Sequence, residues 1–348
     1  MKIAIIGAGP AGSNCAYWAA KEGHDVYLFE KEKVLANKPC GEAIFGEAFN
    51  FTPIKPNESK WALNYIYRAE IYFENDLLLE TETKPLDGYI VNKRAFLEEI
   101  VEEAKAQGAK YFREAFVDEK SFDLVIDAGG YTSTFARRKG LSYDGFKFSP
   151  ALRGYGKTDK IRDDTLYFQV YDFGYAWIFP YGENFCNFGI GGHVNSRDVL
   201  LNHLFKFLKL FDVEVSSKIE GAPFPSNGPL SELTIGNIRV VGDTAGMVMP
   251  ISGEGIRFAL YAGSICFKEN YEKLFQAKYG EKLRTGKKIL DLWLHMTLED
   301  IKELIRTVDP SVLAKVFIEG EKPNALEGIK LLRRPKLFSK TIKSLYLS

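Results

Sequence analysis

The first thirty residues carry the clearest alternation of apolar and helical patterning in the chain. A short apolar run, Ile3 to Ile6, predicts a strand, and the glycine-rich turn Gly7 to Gly12 follows it directly. Helical spacing from Ser13 to about Lys21 predicts a helix, and a second apolar run, Val26 to Phe29, predicts a strand that closes on Glu30. The order strand, glycine turn, helix, strand and acid predicts a βαβ-type nucleotide unit.

Each glycine of that turn has a separate physical task. Gly7 allows a tight turn, Gly9 lets the backbone approach a pyrophosphate, and Gly12 lets the helix pack close to the strand. The free N–H groups and the positive end of the helix dipole then face the phosphates. Glu30 follows Gly12 by 18 residues, near the spacing of a carboxylate that binds ribose hydroxyls. The pattern therefore predicts dinucleotide binding.

The rest of the chain alternates between sheet-like and helical segments. Continuous apolar runs are typical of buried parallel strands, and aromatic-rich runs in the middle of the chain favour an antiparallel sheet. We predict a hairpin of strands 66–73 and 77–81, strands at 89–91, 122–128, 166–170, 176–179, 185–190 and 238–241, and helices at 95–107, 199–211 and 256 to about 268.

These elements predict an α/β fold in which two parts interleave along the chain. A Rossmann-type dinucleotide domain takes 1–55, 85–150 and 230–285, and an antiparallel-sheet substrate domain takes 56–84 and 151–229. Residues 286–348 form a helical C-terminal region. Ligands of such sheets bind at the carboxyl ends of the strands, so the turns at Gly7, Gly129 and Gly242 should meet at one crevice.

Composition excludes several classes of function. The formal net charge of zero offers no global field for nucleic acid. No apolar run approaches the length of a membrane-spanning helix, and the chain starts on a strand, so we expect no cleavable signal peptide. The four cysteines have no CxxC spacing and the four histidines no paired spacing. We therefore expect a reduced, cytoplasmic protein without a metal site.

The segment 329–348 is basic, with no acidic residue and with apolar residues interleaved. Such a segment fits the surface of an anionic membrane, which makes peripheral membrane association a candidate property. A solvated last helix that packs on the body of the protein fits the same pattern, and both readings stay open.

Several residues carry candidate chemistry, each with a plainer alternative. Cys40 lies in a polar turn beside Lys38, which would favour a thiolate, although free cysteines are often small core residues. Asp243 follows a strand, where it could accept hydrogen bonds from a sugar-alcohol chain or cap a helix. His193 near the sheet is a weak candidate acid, because a lone histidine is more often structural. Arg94 opens a helix, where a cation gains nothing from the dipole.

An aromatic stripe marks the middle of the chain. Tyr175, Trp177 and Phe179 alternate, so they share one face of a strand. They form either the core of a sheet or the wall of a pocket for a long apolar substrate, with Phe168, Tyr171 and Phe188 nearby. Alternation alone does not separate these readings.

Four motifs together resemble the FAD-dependent geranylgeranyl reductase family, known from archaeal lipid synthesis, within the hydroxylase-like flavoproteins. The resemblance runs from Met1 to about residue 285. Its motifs are Gly7 to Gly12 with Glu30, the turn Lys38-Pro39-Cys40-Gly41-Glu42, the YxWxFP sequence Tyr175 to Pro180, and the stretch Gly242 to Ile256. The second and third motifs are the selective ones.

The resemblance implies an FAD-dependent oxidoreductase that saturates C=C bonds of geranylgeranyl or other polyisoprenoid chains. It implies a lipid substrate and an electron donor, either a ferredoxin-like protein or transiently bound NADPH. It assigns catalysis to Cys40, Tyr175 and Trp177, and the substrate pocket to Phe168, Tyr171, Tyr175, Trp177, Phe179 and Phe188. The cofactor residues that it implies are Gly7, Gly9, Ala11, Gly12, Glu30, Lys31, Cys40, Gly41, Arg94, Val117, Gly242, Asp243, Gly246, Pro250, Gly253, Gly255 and Ile256.

Two alternatives share the FAD motifs. A flavin-dependent monooxygenase or halogenase would use oxygen, and a non-catalytic flavoprotein would only carry electrons. The wider class usually has an Asp-Gly pair after its third strand, where this chain has Gly129-Gly130. That departure bears on whether NADPH reduces the flavin directly.

Overall fold

The computed structural model describes residues 1–82, 87–114, 119–194 and 196–322. The strands are β1 (Lys2–Ile6), β2 (Asp25–Glu30), β3 (Ala43–Phe45), β4 (Ala62–Ile66), β5 (Arg68–Phe73), β6 (Asp76–Glu82), β7 (Gly88–Val91), β8 (Lys110–Arg113), β9 (Leu124–Asp127), β10 (Phe148–Ser149), β11 (Ala151–Lys157), β12 (Thr165–Tyr171), β13 (Gly174–Pro180), β14 (Phe185–Gly192), β15 (Glu214–Val215), β16 (Glu220–Gly221), β17 (Phe224–Pro225), β18 (Thr234–Ile235) and β19 (Ile238–Val240).

Four of the described α-helices precede residue 211 and five follow residue 255. They are α1 (Pro10–Lys21), α2 (Lys93–Ala106), α3 (Phe135–Arg138), α4 (Arg197–Leu210), α5 (Ile256–Ile265), α6 (Tyr271–Phe275), α7 (Glu281–Trp293), α8 (Leu298–Thr307) and α9 (Pro310–Ala314).

A six-stranded sheet in the order β18-β19-β9-β1-β2-β8 forms the nucleotide half. Its strands run parallel except for the β18–β19 pair. β1 is central, and its apolar run is buried because α1 and α5 pack together beside it. Gly263 allows that close packing, since a Cβ there would lie 2.4 Å from the Ala11 carbonyl oxygen.

A second sheet has the order β15-β11-β14-β13-β12-β5-β6, with β16 also paired to β11. It is antiparallel except where β12 runs parallel to β5. One face packs against α4 through an apolar cluster that includes Leu204 and Phe207. The other face is turned toward the nucleotide half and toward α7 to α9, whose residues Trp293, Ile305 and Leu313 pack against it. The substrate side of this sheet is therefore the side opposite α4.

Each predicted strand and helix is present with some shift at its ends, but β3, β8 and the seven-residue strand β11 were not predicted. The predicted hairpin is β5–β6, but Ile66 ends a separate strand, β4, that pairs with β7 in a three-stranded sheet with β3. α1 begins at Pro10 rather than Ser13, because proline is accepted in the first helical turn. Within the described residues, no helix has the length and apolarity to cross a membrane, and no cluster of potential metal ligands occurs.

Candidate functional site

One cavity of about 870 Å³ runs between the nucleotide sheet and the free face of the second sheet. The turns at Gly7, Gly129 and Gly242 all line it, so the strand ends meet as the topology rule requires. The cavity has a polar part beside these turns and an apolar part beside β5, β6, β12 and the C-terminal helices. Such a large, mostly apolar cavity with a few convergent polar groups has the character of a ligand site.

The glycines between Gly7 and Gly12 differ in the space that a side chain at each position would meet. A Cβ on Gly7, which has φ +93°, would lie 2.5 Å from the Ala128 carbonyl oxygen, and a Cβ on Gly12 would lie 1.8 Å from the Gly7 oxygen. A Cβ on Gly9 would meet no protein atom within 4 Å, and Gly9 lines the cavity. Gly7 and Gly12 thus serve packing within the protein, while Gly9 leaves the helix start open to a ligand.

Glu30 lies at the end of β2 and is 9% exposed. Its carboxylate accepts hydrogen bonds from the N–H groups of Ala8 (2.8 Å) and Glu32 (2.8 Å). These bonds fix the carboxylate at the wall of the cavity, and its remaining lone pairs are available to hydroxyl groups of a ligand. Lys31 next to it also lines the cavity and donates to the Thr132 hydroxyl at 3.0 Å.

Asp243 stands just after β19 and forms an ion pair with Lys38. Both residues line the cavity, and the Lys38 ammonium also lies over the Tyr131 ring, 5.2 Å from its centroid. The partner of Lys38 is therefore the Asp243 carboxylate. The sequence-based expectation that Lys38 promotes a Cys40 thiolate does not agree with this pairing.

The loop before α5 forms another wall of the cavity. Gly253 and Gly255 of this loop line the cavity, and in the first turn of α5 the Arg257 N–H donates to the Glu254 carboxylate at 3.3 Å. Glu254 also lines the cavity and pairs with Arg257, whose guanidinium lies 2.8 Å from one carboxylate oxygen. Arg257 is 1% exposed and also pairs with Glu319 at 2.7 Å. Burial raises the pKa of Glu254, an effect that the Arg257 charge opposes.

Cys40, Tyr175 and Trp177, the predicted catalytic residues, lie on the same cavity. The Tyr175 hydroxyl donates to the carbonyl oxygen of Ser252, and burial raises the pKa of this phenol well above its usual value, so it stays protonated. The Cys40 thiol is half-buried, and its Sγ lies 3.4 Å from the N–H of Glu42.

Asn187, which sequence reasoning missed, ties these residues together from β14. Its Oδ1 accepts from the Trp177 indole at 3.1 Å, and its Nδ2 donates to the Cys40 carbonyl at 2.8 Å. The same Nδ2 lies 3.0 Å from a carboxylate oxygen of Glu42, which also accepts from the Tyr155 hydroxyl at 2.5 Å. A buried amide within the apolar strand β14 was the available sequence signal.

The aromatic stripe lies on the cavity side, but two of the predicted pocket residues do not. Phe168 and the alternating side chains of β13 line the cavity, whereas Tyr171 and Phe188 pack toward α4. Successive strand residues point to opposite faces, and Phe188 stands opposite Ile178 in register, not opposite Trp177. Assigning Tyr171 and Phe188 to the pocket was therefore wrong.

Arg94 is exposed and does not line the cavity. Its neighbour Lys93 is 6% exposed, lines the cavity and donates to the Lys38 carbonyl oxygen at 2.6 Å. The cation at the start of α2 that lines the cavity is thus Lys93, and the predicted cofactor residue Arg94 lies off the cavity. Gly246 is also away from the cavity, where its left-handed backbone ends a turn against Gly228.

Most of the predicted cofactor and pocket residues line the cavity. Val117 lies outside the described residues. The predicted residues on the cavity are Gly7, Gly9, Ala11, Glu30, Lys31, Cys40, Gly41, Gly242, Asp243, Pro250, Gly253, Gly255, Ile256, Phe168, Tyr175, Trp177 and Phe179.

The apolar part of the cavity is formed by both sheet and helix. Ile71 and Leu79 contribute from the β5–β6 hairpin, and Trp293, Leu313 and Phe317 contribute from the C-terminal helices. The Trp293 indole donates to the Tyr171 carbonyl at 3.0 Å, which fixes α7 against the end of β12. A long apolar ligand would be enclosed on both sides here.

Comparison with known proteins agrees with this architecture. Residues 1–111 match the family described as pyridine nucleotide-disulphide oxidoreductase. Over 323 residues the chain is 28% identical to digeranylgeranylglycerophospholipid reductase 1 of Methanosphaera stadtmanae, covering 80% of this chain and 79% of that protein. These matches confirm the resemblance to the geranylgeranyl reductase family that the motifs indicate.

Two solved structures show the same fold. One is a geranylgeranyl bacteriochlorophyll reductase-like protein of Thermoplasma acidophilum, with TM-score 0.78 and 20% identity over 100% of this chain and 96% of that one. The other is a flavin-dependent brominase, with TM-score 0.71 and 14% identity over 95% and 97% of the two chains. The predicted fold class, a Rossmann-type domain joined to an antiparallel sheet, is confirmed.

Proposed function

We propose that the protein is an FAD-dependent reductase that saturates C=C bonds of geranylgeranyl or other polyisoprenoid chains in lipids. The observation that carries the proposal is a continuous cavity that joins a dinucleotide cradle to an apolar channel between the second sheet and the C-terminal helices. The printed names of relatives that cover most of the chain, all reductases of digeranylgeranylglycerophospholipids, support the same substrate class.

The residues of the cradle fit FAD. Gly9 and the open start of α1 suit the pyrophosphate, and the fixed carboxylate of Glu30 suits a ribose. Asp243 suits the sugar-alcohol chain, and the start of α5 would place a positive dipole near a reduced, anionic flavin. When bound and reduced, FAD supplies the hydride for one alkene carbon, and a proton must reach the other.

The protein's own part in this reaction is to hold the alkene, exclude water and deliver the proton. The aromatic side chains of Trp177, Phe179 and Phe168 supply an apolar wall, in which the Phe168 and Phe179 rings meet edge-on. We assign the proton delivery to the Cys40 thiol, because the Tyr175 proton is already engaged by the Ser252 carbonyl. Enclosure matters here, since an unactivated alkene has no electron sink and depends on positioning.

The cellular setting belongs to the proposal as well. We propose a cytoplasmic, archaeal-type enzyme that receives electrons from a ferredoxin-like protein or from transiently bound NADPH. The basic segment 329–348, which lies outside the described residues, is proposed to contact the membrane surface where the lipid resides.

The test is an anaerobic reduction assay with the flavin-loaded protein. Dithionite reduces the flavin, geranylgeranyl lipid is added, and the product is read by mass spectrometry. We expect mass gains of two hydrogens per step together with flavin reoxidation. Cys40→Ala should slow the step by about 10²–10⁴-fold, the usual contribution of a proton donor, whereas Cys186→Ala, a buried cysteine away from the cavity, should not.

Two outcomes would contradict the proposal. A yellow protein that leaves every isoprenoid unchanged but consumes oxygen with NADPH would favour a monooxygenase or halogenase. The flavin-dependent brominase has the same fold as this chain. A flavoprotein that passes electrons but reduces no lipid would favour an electron carrier, for which the enclosed apolar channel has no use.

A further inference from the structure

Arg153 is a charged residue within the cavity that the reductase proposal leaves without a task. It lies on β11 and lines the cavity, and its side chain is 13% exposed. Its Nε is buried without a hydrogen-bond partner among the described residues. The guanidinium stacks over the Tyr155 ring, 4.4 Å from the centroid.

The carboxylates near Arg153 do not satisfy it. Glu220 approaches one terminal nitrogen only to 3.9 Å, beyond hydrogen-bond distance, and its own side chain is 52% exposed. Glu42 already accepts from the Tyr155 hydroxyl, from Asn187 and from the N–H of Lys93. A guanidinium is always charged, so the unpartnered Nε of this largely buried side chain is costly unless an anion lies near the group.

The neighbours of Arg153 across the sheet form one straight row. Register pairs Arg153 with Gly189, Gly189 with Trp177, and Trp177 with Phe168. The row continues from Phe168 to Ile71 and from Ile71 to Leu79. Except for Gly189, every residue of this row lines the cavity.

The gap at Gly189 is filled by an aromatic ring. A Cβ on Gly189 would lie 2.2 Å from the Trp177 ring, so the indole lies over that glycine, toward β11. With neighbouring strands about 4.8 Å apart, the row from β11 to β6 spans about 24 Å. A cation thus stands at one end and continuous apolar surface extends from it.

We propose that Arg153 binds the phosphate head group of the isoprenoid lipid, whose chain lies along the row toward Leu79. This inference rests on the proposed reductase function and deepens it by assigning the residue that would hold the anionic head group of the lipid. Arginine suits this task, because its planar fork binds phosphate oxygens in pairs. Arg153 is then a determinant of substrate specificity, separate from the residues that act on the alkene.

The test measures binding, so it does not depend on turnover. Flavin-loaded protein is titrated with geranylgeranyl phosphate, with geranylgeraniol and with inorganic phosphate, with quenching of tryptophan fluorescence as the readout. We expect the phosphate ester to bind about 10- to 100-fold more tightly than the alcohol, the range for charge-assisted hydrogen bonds. Inorganic phosphate alone should compete only weakly, because it lacks the chain.

Variants assign that preference to Arg153. Arg153→Met should abolish the difference between phosphate ester and alcohol while the affinity for the alcohol stays unchanged. Arg153→Lys should keep part of the preference, because the charge remains but the fork is lost. Lys157→Met, which removes an exposed cation from the same strand outside the cavity, should bind like the wild type.

Three results would overturn the inference. The wild type could bind ester and alcohol equally, Arg153→Met could weaken both alike, or inorganic phosphate could bind as tightly as the ester. If Arg153→Met does not fold, the relative affinities of the wild type and of Arg153→Lys for the phosphate ester and the alcohol still test the inference. A protein that prefers the ester but reduces nothing refutes the reductase proposal alone, and one that reduces both lipids without preference refutes only this inference.

Discussion

Replacing Gly9 with alanine should separate cofactor binding from folding. Gly9 has φ −71° and ψ −174°, a backbone conformation that alanine adopts without strain. The added methyl group meets no protein atom within 4 Å and projects into the cavity where the pyrophosphate of FAD is proposed to lie. The stability of the flavin-free protein should therefore change little, while the affinity for FAD should fall.

In Gly9→Ala, two small and opposing effects set the change in unfolding free energy, and a steric clash with the cofactor sets the larger change in FAD affinity. Removing a glycine from the unfolded chain stabilises by about 0.4–1 kcal/mol. Losing glycine at the N-cap of α1 costs a similar amount, so the net change in unfolding free energy should stay within about 1 kcal/mol. Steric exclusion of the pyrophosphate should raise the Kd for FAD at least tenfold, or about 1.4 kcal/mol.

Gly12→Ala is the matched control, because its methyl group would lie 1.8 Å from the Gly7 carbonyl oxygen. Such a clash with backbone should cost about 1–3 kcal/mol or more and lower the thermal midpoint of the flavin-free protein. Thermal unfolding and titration with FAD, followed by flavin fluorescence, measure both properties. Wild-type FAD affinity in Gly9→Ala, or unfolding as early as in Gly12→Ala, would refute this reasoning.

Other changes test other parts of the site. Burial, and next the charge of Lys287, lowers the pKa of His193 in the folded protein. The folded state is therefore favoured above about pH 6.5, the usual histidine pKa, and loses stability as the pH falls below it. His193→Gln should make this loss of stability smaller in thermal melts between about pH 5 and 8. Arg257→Met leaves the buried Glu254 unpaired and should lower the unfolding free energy by about 3–5 kcal/mol in denaturant titrations. Asn187→Leu frees the Trp177 indole and should lower kcat about 10-fold or more with bound FAD unchanged; an unaltered kcat would contradict its positioning role.

The nucleotide half was predictable from sequence because its signals are local. Gly7 to Gly12 fix a turn by their small size alone, and the apolar runs on either side define strands without reference to the rest of the chain. The start of α2 follows the same local logic, because the side chain of Asn92, just before the helix, accepts a hydrogen bond from the Ala95 N–H at 3.1 Å and caps it.

The candidate site was predictable only in part, because the face of the sheet that lines the cavity is decided by elements that are distant in sequence. Tyr175 and Trp177 could be placed on one face by alternation, but the face that the cavity uses is decided by α4 covering the other one. Tyr171 and Phe188 were misplaced for that reason. Arg153 was missed because its strand, β11, was not predicted and because its register with Gly189 is set by a strand distant in sequence.

The wall of the apolar channel comes from a part of the chain that is made late. Trp293, Leu313 and Phe317 complete it, and the Arg257–Glu319 ion pair fastens that wall to the loop before α5. During synthesis, the residues of the cradle that hold FAD emerge from the ribosome before those that enclose the channel, and domains generally fold in that order. The helical wall of the channel can therefore pack only after all of the cradle residues have been made.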